Sequence, residues 1–211
     1  MNTMSKTRKL TFLGAMLAIT IIMDMTPILG AIPLPGVSAT ITHVPTIITG
    51  IILGPISGLI MGTFFGIISL LHALMRPASP LDPLFINPLL SVLPRMAIGV
   101  MSYYSYTLVR KLLSGFKPYI GVSIGSAIGG FIGSMTNTVL VLTMMYFVYG
   151  KKILDIFIAE GWMGSESKLM DIRNWVLGLA ASSGIPEALV AAFLSVVLVL
   201  AYKRVIEKTI D

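Results

Sequence analysis

The residues best suited to chemistry in this chain stand singly inside long apolar stretches. Placing a charged side chain at membrane depth costs about 3 kcal/mol or more, so such residues usually mark a functional site or a buried partner. Arginine offers a fixed fork of donors that suits a carboxylate or phosphate, whereas asparagine and histidine offer neutral hydrogen bonds. The strongly polar residues within the apolar stretches are Asp24, His43, His72, Arg95, Asn137 and Glu187.

Arg95 is the most informative of these residues. It lies in the stretch LPRMAIGV, inside an otherwise uncharged run from about residue 83 to residue 109. An internal ion pair with Glu187 or Asp24 would give it a structural role. A bound carboxylate or phosphate would give it a binding role, because its fork of donors matches both anions.

The other polar residues each allow a simpler explanation. His43 and His72 stand near the ends of predicted helices, where water solvates a side chain. Asn137 is equally consistent with a hydrogen bond between helices. Glu187 is placed to cap the start of a helix. The grouping of these residues therefore carries more weight than any one of them.

The composition indicates an integral membrane protein. Of 211 residues, 55% are hydrophobic and 11% charged, with a mean hydropathy of +0.92, whereas soluble domains carry about 25% charged residues. Cysteine is absent, which excludes disulfides and thiolate metal sites. The net charge of +6 is typical of cytoplasmic anchoring charge, so no nucleic-acid partner is predicted. We interpret the first apolar run as a retained helix rather than a signal peptide.

Apolar runs and Pro/Gly breakers predict an all-α protein with six transmembrane helices in one compact domain, residues 1–211. Basic residues lie at both termini and in the turn between helices 4 and 5, which predicts an N-in, C-in orientation. The three long loops, after helices 1, 3 and 5, then lie outside. The predicted helices cover about 9–29, 41–53, 56–75, 88–113, 119–149 and 184–205.

In this arrangement all six polar residues fall in the outer half of the membrane. A proton or ion relay needs polar groups at successive depths, so a single layer favours a binding cavity that opens outward. The chain has no P-loop, H-E-x-x-H or G-x-S-x-G motif. We therefore predict no catalytic residue, metal or cofactor. In helix 1, Gly14 and Ala18 form a small-residue pair suited to internal packing or to docking a partner helix.

Three stretches carry a resemblance to a known family. They are GAMLA in helix 1, ITHVPTIITGIILGPISGLIMGTFFGIISLL, and SPLDPLFINPLLSVLPRMAIG. With them the chain resembles the substrate-binding S components of energy-coupling factor (ECF) vitamin transporters, most clearly from about Thr11 to Arg110. The pattern from helix 2 to helix 4 looks most like the pantothenate-type S components.

The resemblance implies a multi-pass protein of the bacterial plasma membrane that captures a vitamin in an outward-facing cavity. It implies docking on a T subunit bound to two ATP-binding subunits, through Gly14 and Ala18, with glycine where alanine is usual. The S component then topples in the lipid bilayer and carries its site inward. ATP hydrolysis belongs to the partner subunits.

The outer layer is poor in aromatic residues, which disfavours flavin or thiamin. We therefore predict pantothenate, with Arg95 on its carboxylate and with Asn137, Asn87 and His72 on amide or hydroxyl groups. His43, Asp24 and Glu187 complete the predicted site. Riboflavin, pyridoxine or another vitamin stays open. Two other classes stay open as well: a self-sufficient small transporter, and an intramembrane enzyme using Glu187 with His43 or His72.

Overall fold

A computed structural model of the chain describes residues 5–26, 31–34, 37–77 and 80–210, without the side chains of 31–34, 37–40 and 206–210. Strands β1 (Ala31–Leu34) and β2 (Val37–Thr40) form an antiparallel hairpin between the first two helices. A 3-10 turn covers Asp82–Ile86, and a π-helical segment, Ala180–Gly184, joins the last two helices. The α-helices are α1 (Lys6–Met25), α2 (Val44–Leu53), α3 (Pro55–Met75), α4 (Pro88–Ser91), α5 (Leu93–Leu112), α6 (Pro118–Ala159), α7 (Leu169–Leu179) and α8 (Ile185–Ile210).

The predicted helical membrane fold is confirmed. Among the described residues, three continuous helical stretches are long and apolar enough to cross a membrane: Pro55–Met75, Pro118–Ala159 and Leu169–Val205. Helices α1 and α5 have 20 residues each, about 30 Å at 1.5 Å per residue, which matches the hydrocarbon core. Both are more polar at their basic ends. The count of six crossings and the N-in, C-in orientation stay predictions.

The second predicted helix is shorter than expected. It begins at Val44, after the N-cap residue His43, and ends where Gly54 adopts a φ of 99°. Its ten residues span about 15 Å, half of the hydrocarbon core. Residues 44–51 are all buried, and α2 packs against α1, α3, α5, α6 and α8. Helix α2 therefore lies at the centre of the bundle and is about half the length of a full membrane crossing.

Several other boundaries differ from the predicted ones. Helix 1 ends at Met25 rather than near 29, although residues 27–30 lie outside the described part. The fourth predicted helix is interrupted at Val92 and continues as α5. The fifth runs ten residues further than predicted, to Ala159. The segment from 151 to 175, predicted as a partly helical polar loop, is mostly helical, because its buried apolar residues recur every four positions, as Ile153 and Phe157 do.

Glycines on α3 bring its backbone against α5. A Cβ atom on Gly62 would overlap the backbone carbonyl of Arg95, and one on Gly58 would press on the backbone of Gly99. A Cβ atom on Gly66 would meet the backbone of Val92. Small residues allow such close approach between membrane helices. The glycine stripe therefore fixes where the first turns of α5, and Arg95 with them, stand in the bundle.

Two basic residues, Arg110 of α5 and Lys203 of α8, lie close together at one end of the bundle. The guanidinium carbon of Arg110 lies 5.9 Å from the Tyr106 ring centroid, and the Lys203 ammonium lies 6.0 Å from the same centroid. Phe12 of α1 and Tyr202 of α8 make an edge-to-face ring contact at 5.4 Å. The inner end predicted from charge is thus a physical end of the structure, formed by α1, α5 and α8.

Candidate functional site

A cavity of about 230 Å³ lies at the end of the bundle opposite Arg110 and Lys203. Helices α1, α3, α5 and α6, the residues just before α2 and the 3-10 turn all contribute to its wall. A site of this size and mixed polarity suits a small molecule rather than an ion. The lining residues are Asp24, Thr42, His43, Phe65, Ser69, His72, Ala73, Asp82, Phe85, Arg95 and Asn137.

The structure brings five of the seven predicted site residues to this one cavity: Asp24, His43, His72, Arg95 and Asn137. They come from five different parts of the chain. The other two predicted residues, Asn87 and Glu187, are not among the lining residues.

Arg95 is 8% exposed and is held on several sides. Its Nη1 donates a 2.7 Å hydrogen bond to the backbone carbonyl of Leu90. Its guanidinium carbon lies 5.2 Å from the Phe85 ring centroid and 5.9 Å from that of Phe65, distances at which a cation is attracted to an aromatic ring. Its Nε is buried without a hydrogen-bond partner among the described residues. One donor edge is therefore occupied, and Nε is left for another acceptor.

Two further cavity residues carry buried polar atoms without a partner in the described part of the chain. Both ring nitrogens of His43, which is 1% exposed, and the Oδ1 of Asn137 are in this state. A buried polar atom left unsatisfied costs about 1–3 kcal/mol. These atoms and Arg95 Nε belong to residues that line one cavity. A polar ligand bound there would supply the missing hydrogen-bond partners.

Asp24 is used within the protein. Its carboxylate accepts from His72 Nδ1 at 3.1 and 3.2 Å and lies 3.6 Å from Nη2 of Arg76. This cluster joins the end of α1 to the end of α3 beside the cavity. Asp24 therefore pairs with His72 and Arg76 instead of forming the ion pair with Arg95 considered above.

Asn87 and Glu187 lie elsewhere. The Asn87 side chain donates to the hydroxyl of Tyr149 at 2.6 Å and caps α4 by accepting from the Leu89 amide at 2.9 Å. Glu187 is 8% exposed in the first turn of α8. The binding role of each stays a prediction, while the observed contacts of Asn87 are those of a structural residue.

Six lining residues were not predicted: Thr42, Phe65, Ser69, Ala73, Asp82 and Phe85. Helical spacing could have found some of them, since Ser69 precedes His72 by three residues and shares its helix face. The same spacing places Arg76 four residues after His72. Phe85 precedes Arg95 by ten residues across a helix break, so no periodicity relates them.

Gly14 and Ala18 lie on an outward face of α1. Both are exposed, and a Cβ atom on Gly14 would meet nothing within 4 Å. Helix α1 packs on α2 and α3 with other residues. Among the described residues, no group of three or more His, Cys, Asp or Glu side chains could hold a metal ion.

Comparisons with known proteins agree with this architecture. The chain matches the family model described as the substrate-specific component of ECF transporters over residues 8–201. It is 25% identical to the pantothenic acid transporter PanT of Lactococcus lactis subsp. cremoris, over 92% of this chain and 93% of that protein. It is 29% identical to the pantothenate transporter PanT of Leuconostoc mesenteroides subsp. mesenteroides, over 68% of this chain and 71% of that protein. This chain therefore belongs to the family of substrate-specific components of ECF transporters.

Proposed function

We propose that this chain is the pantothenate-binding subunit of an ECF importer in a bacterial plasma membrane. The family and the names of the two relatives support a vitamin-uptake role. The family consists of transporter subunits, so the cavity residues need no catalytic role. The observation that carries the proposal is that buried polar atoms of Arg95, His43 and Asn137, which have no hydrogen-bond partner within the described part of the chain, belong to residues lining one cavity.

The chemistry of pantothenate matches these groups. It is a flexible aliphatic molecule with a carboxylate at one end, an amide in the middle and two hydroxyl groups near the other end. Arg95 binds the carboxylate, because a charge-assisted hydrogen bond is about twice as strong as a neutral one. The Oδ1 of Asn137 accepts from the amide or a hydroxyl group, and His43 offers a further donor or acceptor.

Apolar and outer groups complete the binding. Phe65 and Phe85, which line the cavity on either side of Arg95, pack against the aliphatic carbons. His72 is 33% exposed and 3.1 Å from Asp24, so it contacts the ligand only near the cavity mouth. The carboxylate consequently lies at the buried end and the hydroxyl groups lie towards the mouth.

Delivery to the cytoplasm needs partner subunits. The exposed small residues Gly14 and Ala18 let a helix of the T subunit approach the α1 backbone closely. Docking there places the S component on the T subunit and two ATP-binding subunits. Toppling of the bundle in the bilayer then exposes the cavity to the cytoplasm. The large apolar side chains exposed along α3, such as Ile60 and Phe64, suit a body that stays in lipid while it rotates.

Reconstitution into liposomes tests this proposal. With the purified chain alone we expect saturable binding of labelled pantothenate but no accumulation inside the vesicles. Adding the T subunit, the ATP-binding subunits and ATP should start uptake, and Arg95→Ala should reduce both binding and uptake. Accumulation by the chain alone would instead indicate a self-sufficient transporter. Absence of pantothenate binding would overturn the proposed substrate.

A further inference from the structure

We propose that Pro94 is a positioning residue for substrate binding, which acts by leaving the Leu90 carbonyl free to anchor Arg95. The effect on affinity rests on the proposed function above. The anchoring itself concerns only residues of this chain.

The anchor follows from backbone chemistry. The backbone stays near-helical across the break between α4 and α5: the Val92 amide donates to the Pro88 carbonyl at 2.8 Å, and the Val92 carbonyl accepts from the Met96 amide at 3.0 Å. In such a backbone the carbonyl of residue 90 would accept from the amide of residue 94. Residue 94 is proline, which has no N–H. Leu90 is only 1% exposed, so its carbonyl must find a donor inside the protein. Nη1 of Arg95 supplies that donor at 2.7 Å, at the point where α4 ends and α5 has just begun.

The anchor decides how the guanidinium group is presented. Nη1 is held by the Leu90 carbonyl, and the ring centroids of Phe85 and Phe65 lie 5.2 and 5.9 Å from the guanidinium carbon. These contacts restrict rotation of the guanidinium group. Nε is left buried without a described partner, in a residue that lines the cavity. A donor that is already oriented binds a ligand with less loss of side-chain entropy. Pro94 therefore contributes to affinity without touching the ligand.

A double-mutant cycle tests this role. Pro94→Ala restores an amide donor for the Leu90 carbonyl, which then competes with Arg95 Nη1. We expect pantothenate affinity, measured by calorimetry, to fall about five- to tenfold. In an Arg95→Ala background the same change should alter affinity less than about twofold, because coupled residues are not additive. An equal loss in both backgrounds would show that proline acts only through the fold and would overturn the proposal.

Pro88→Ala is the matched control in the same segment. Pro88 is the first residue of α4 and follows the extended residue Asn87, whereas Pro94 follows the helical turn of α4. The missing N–H of Pro88 therefore leaves no helical carbonyl without its donor. The Leu84 carbonyl, four residues earlier, already accepts from the Asn87 amide at 3.3 Å. This variant should bind pantothenate within about twofold of the wild type. A loss as large as that of Pro94→Ala would assign the effect to helix breaking in general and contradict the proposal.

A readout without ligand separates this inference from the proposed function. In protein with isotope-labelled arginine, the Arg95 signals are assigned by their loss in Arg95→Lys. Slow rotation of the guanidinium group in the wild type, and faster rotation in Pro94→Ala, would support the anchor even if pantothenate did not bind. Fast, averaged Nη signals in the wild type would overturn it, whether or not Pro94→Ala folds.

Discussion

Arg95 meets a carbonyl oxygen and two aromatic rings in this fold, and together these explain why an arginine is tolerated so deep in an apolar bundle. The Leu90 carbonyl accepts from Nη1, and Phe65 and Phe85 flank the charge. None of these groups carries a formal negative charge. A ligand carboxylate would add a full counter-charge to these three groups.

Replacing Arg95 should accordingly weaken ligand binding more than it weakens the fold. Arg95→Ala should lose at least about tenfold in pantothenate affinity, roughly 1.4 kcal/mol, by calorimetry. The pantothenate affinity of Arg95→Lys should lie between those of the wild type and Arg95→Ala. A single ammonium group cannot bond the Leu90 carbonyl and the ligand with the same geometry as a guanidinium group. Arg173→Ala, which removes an arginine from the exposed surface of α7, is the control and should leave pantothenate affinity unchanged. Misfolding of Arg95→Ala that is rescued by adding Glu187→Gln would indicate an internal ion pair instead.

The two asparagines near the site should separate binding from stability. Asn137→Ala removes an unpartnered buried acceptor from the cavity, so affinity should fall about three- to tenfold with the unfolding midpoint unchanged. Asn87→Ala removes the α4 cap and the bond to Tyr149, so it should cost about 1 kcal/mol of stability with affinity nearly unchanged. The reverse pattern, in calorimetry and thermal unfolding, would show that Asn87 is the binding residue.

At the scale of secondary-structure elements, the hydrophobic pattern predicted the apolar helices well. It predicted the breaks and ends of those helices, such as the break at Val92, poorly. Helix α3, predicted at 56–75, is observed at Pro55–Met75, because glycine and proline mark its start. The helical extension of α6 was predicted only as part of a partly helical polar loop, because Lys151, Lys152 and Asp155 interrupt the apolar run. These residues lie on the exposed face of an amphipathic helix. The hairpin between α1 and α2 depends on pairing between β1 and β2, which no local pattern specifies.

The glycine contacts give a prediction at this scale. Gly62→Ala places a Cβ atom against the Arg95 carbonyl and the Met96 backbone. Because both contacts are with backbone atoms, the overlap is relieved only if α3 and α5 move apart. We expect it to destabilise the protein by about 1–3 kcal/mol and to weaken pantothenate binding. Gly14→Ala, where the added carbon meets nothing within 4 Å, should leave thermal stability unchanged or slightly raised. Equal stability of the two variants would refute the close packing of α3 on α5.

At the scale of the whole molecule, the uneven distribution of basic residues between the two ends could be predicted from the sequence. The residues that line the cavity could be predicted only in part. Charge counting predicted more basic residues at the inner end than at the outer end, and the structure brings two of those assigned to the inner end, Arg110 and Lys203, together against Tyr106. Five of the seven residues predicted for the site line one cavity, and their role in binding stays a prediction. The sequence could not show that the Asp24 carboxylate pairs with His72 and Arg76, because these contacts depend on how α1 and α3 pack.

The exposed face of α1 leads to a prediction about transport by the complete importer. Gly14→Phe and Ala18→Phe should leave pantothenate binding unchanged, because neither residue lines the cavity, while uptake with the T subunit and ATPases falls at least about tenfold. Val197→Phe, on an exposed position of α8, controls for bulk added to a lipid-facing surface. Normal uptake by both α1 variants would move the docking surface elsewhere.

The most direct test of the account is calorimetric titration of pantothenate into the detergent-solubilised wild-type chain. We expect saturable binding of pantothenate at one site per chain. Analogues that keep the carboxylate should compete with pantothenate for this site. An analogue in which an alcohol replaces the carboxylate should bind more weakly. Such a result would place the anion on Arg95 within the cavity of α1, α3, α5 and α6. Absence of binding to pantothenate, together with binding of riboflavin or pyridoxine, would contradict the assigned substrate.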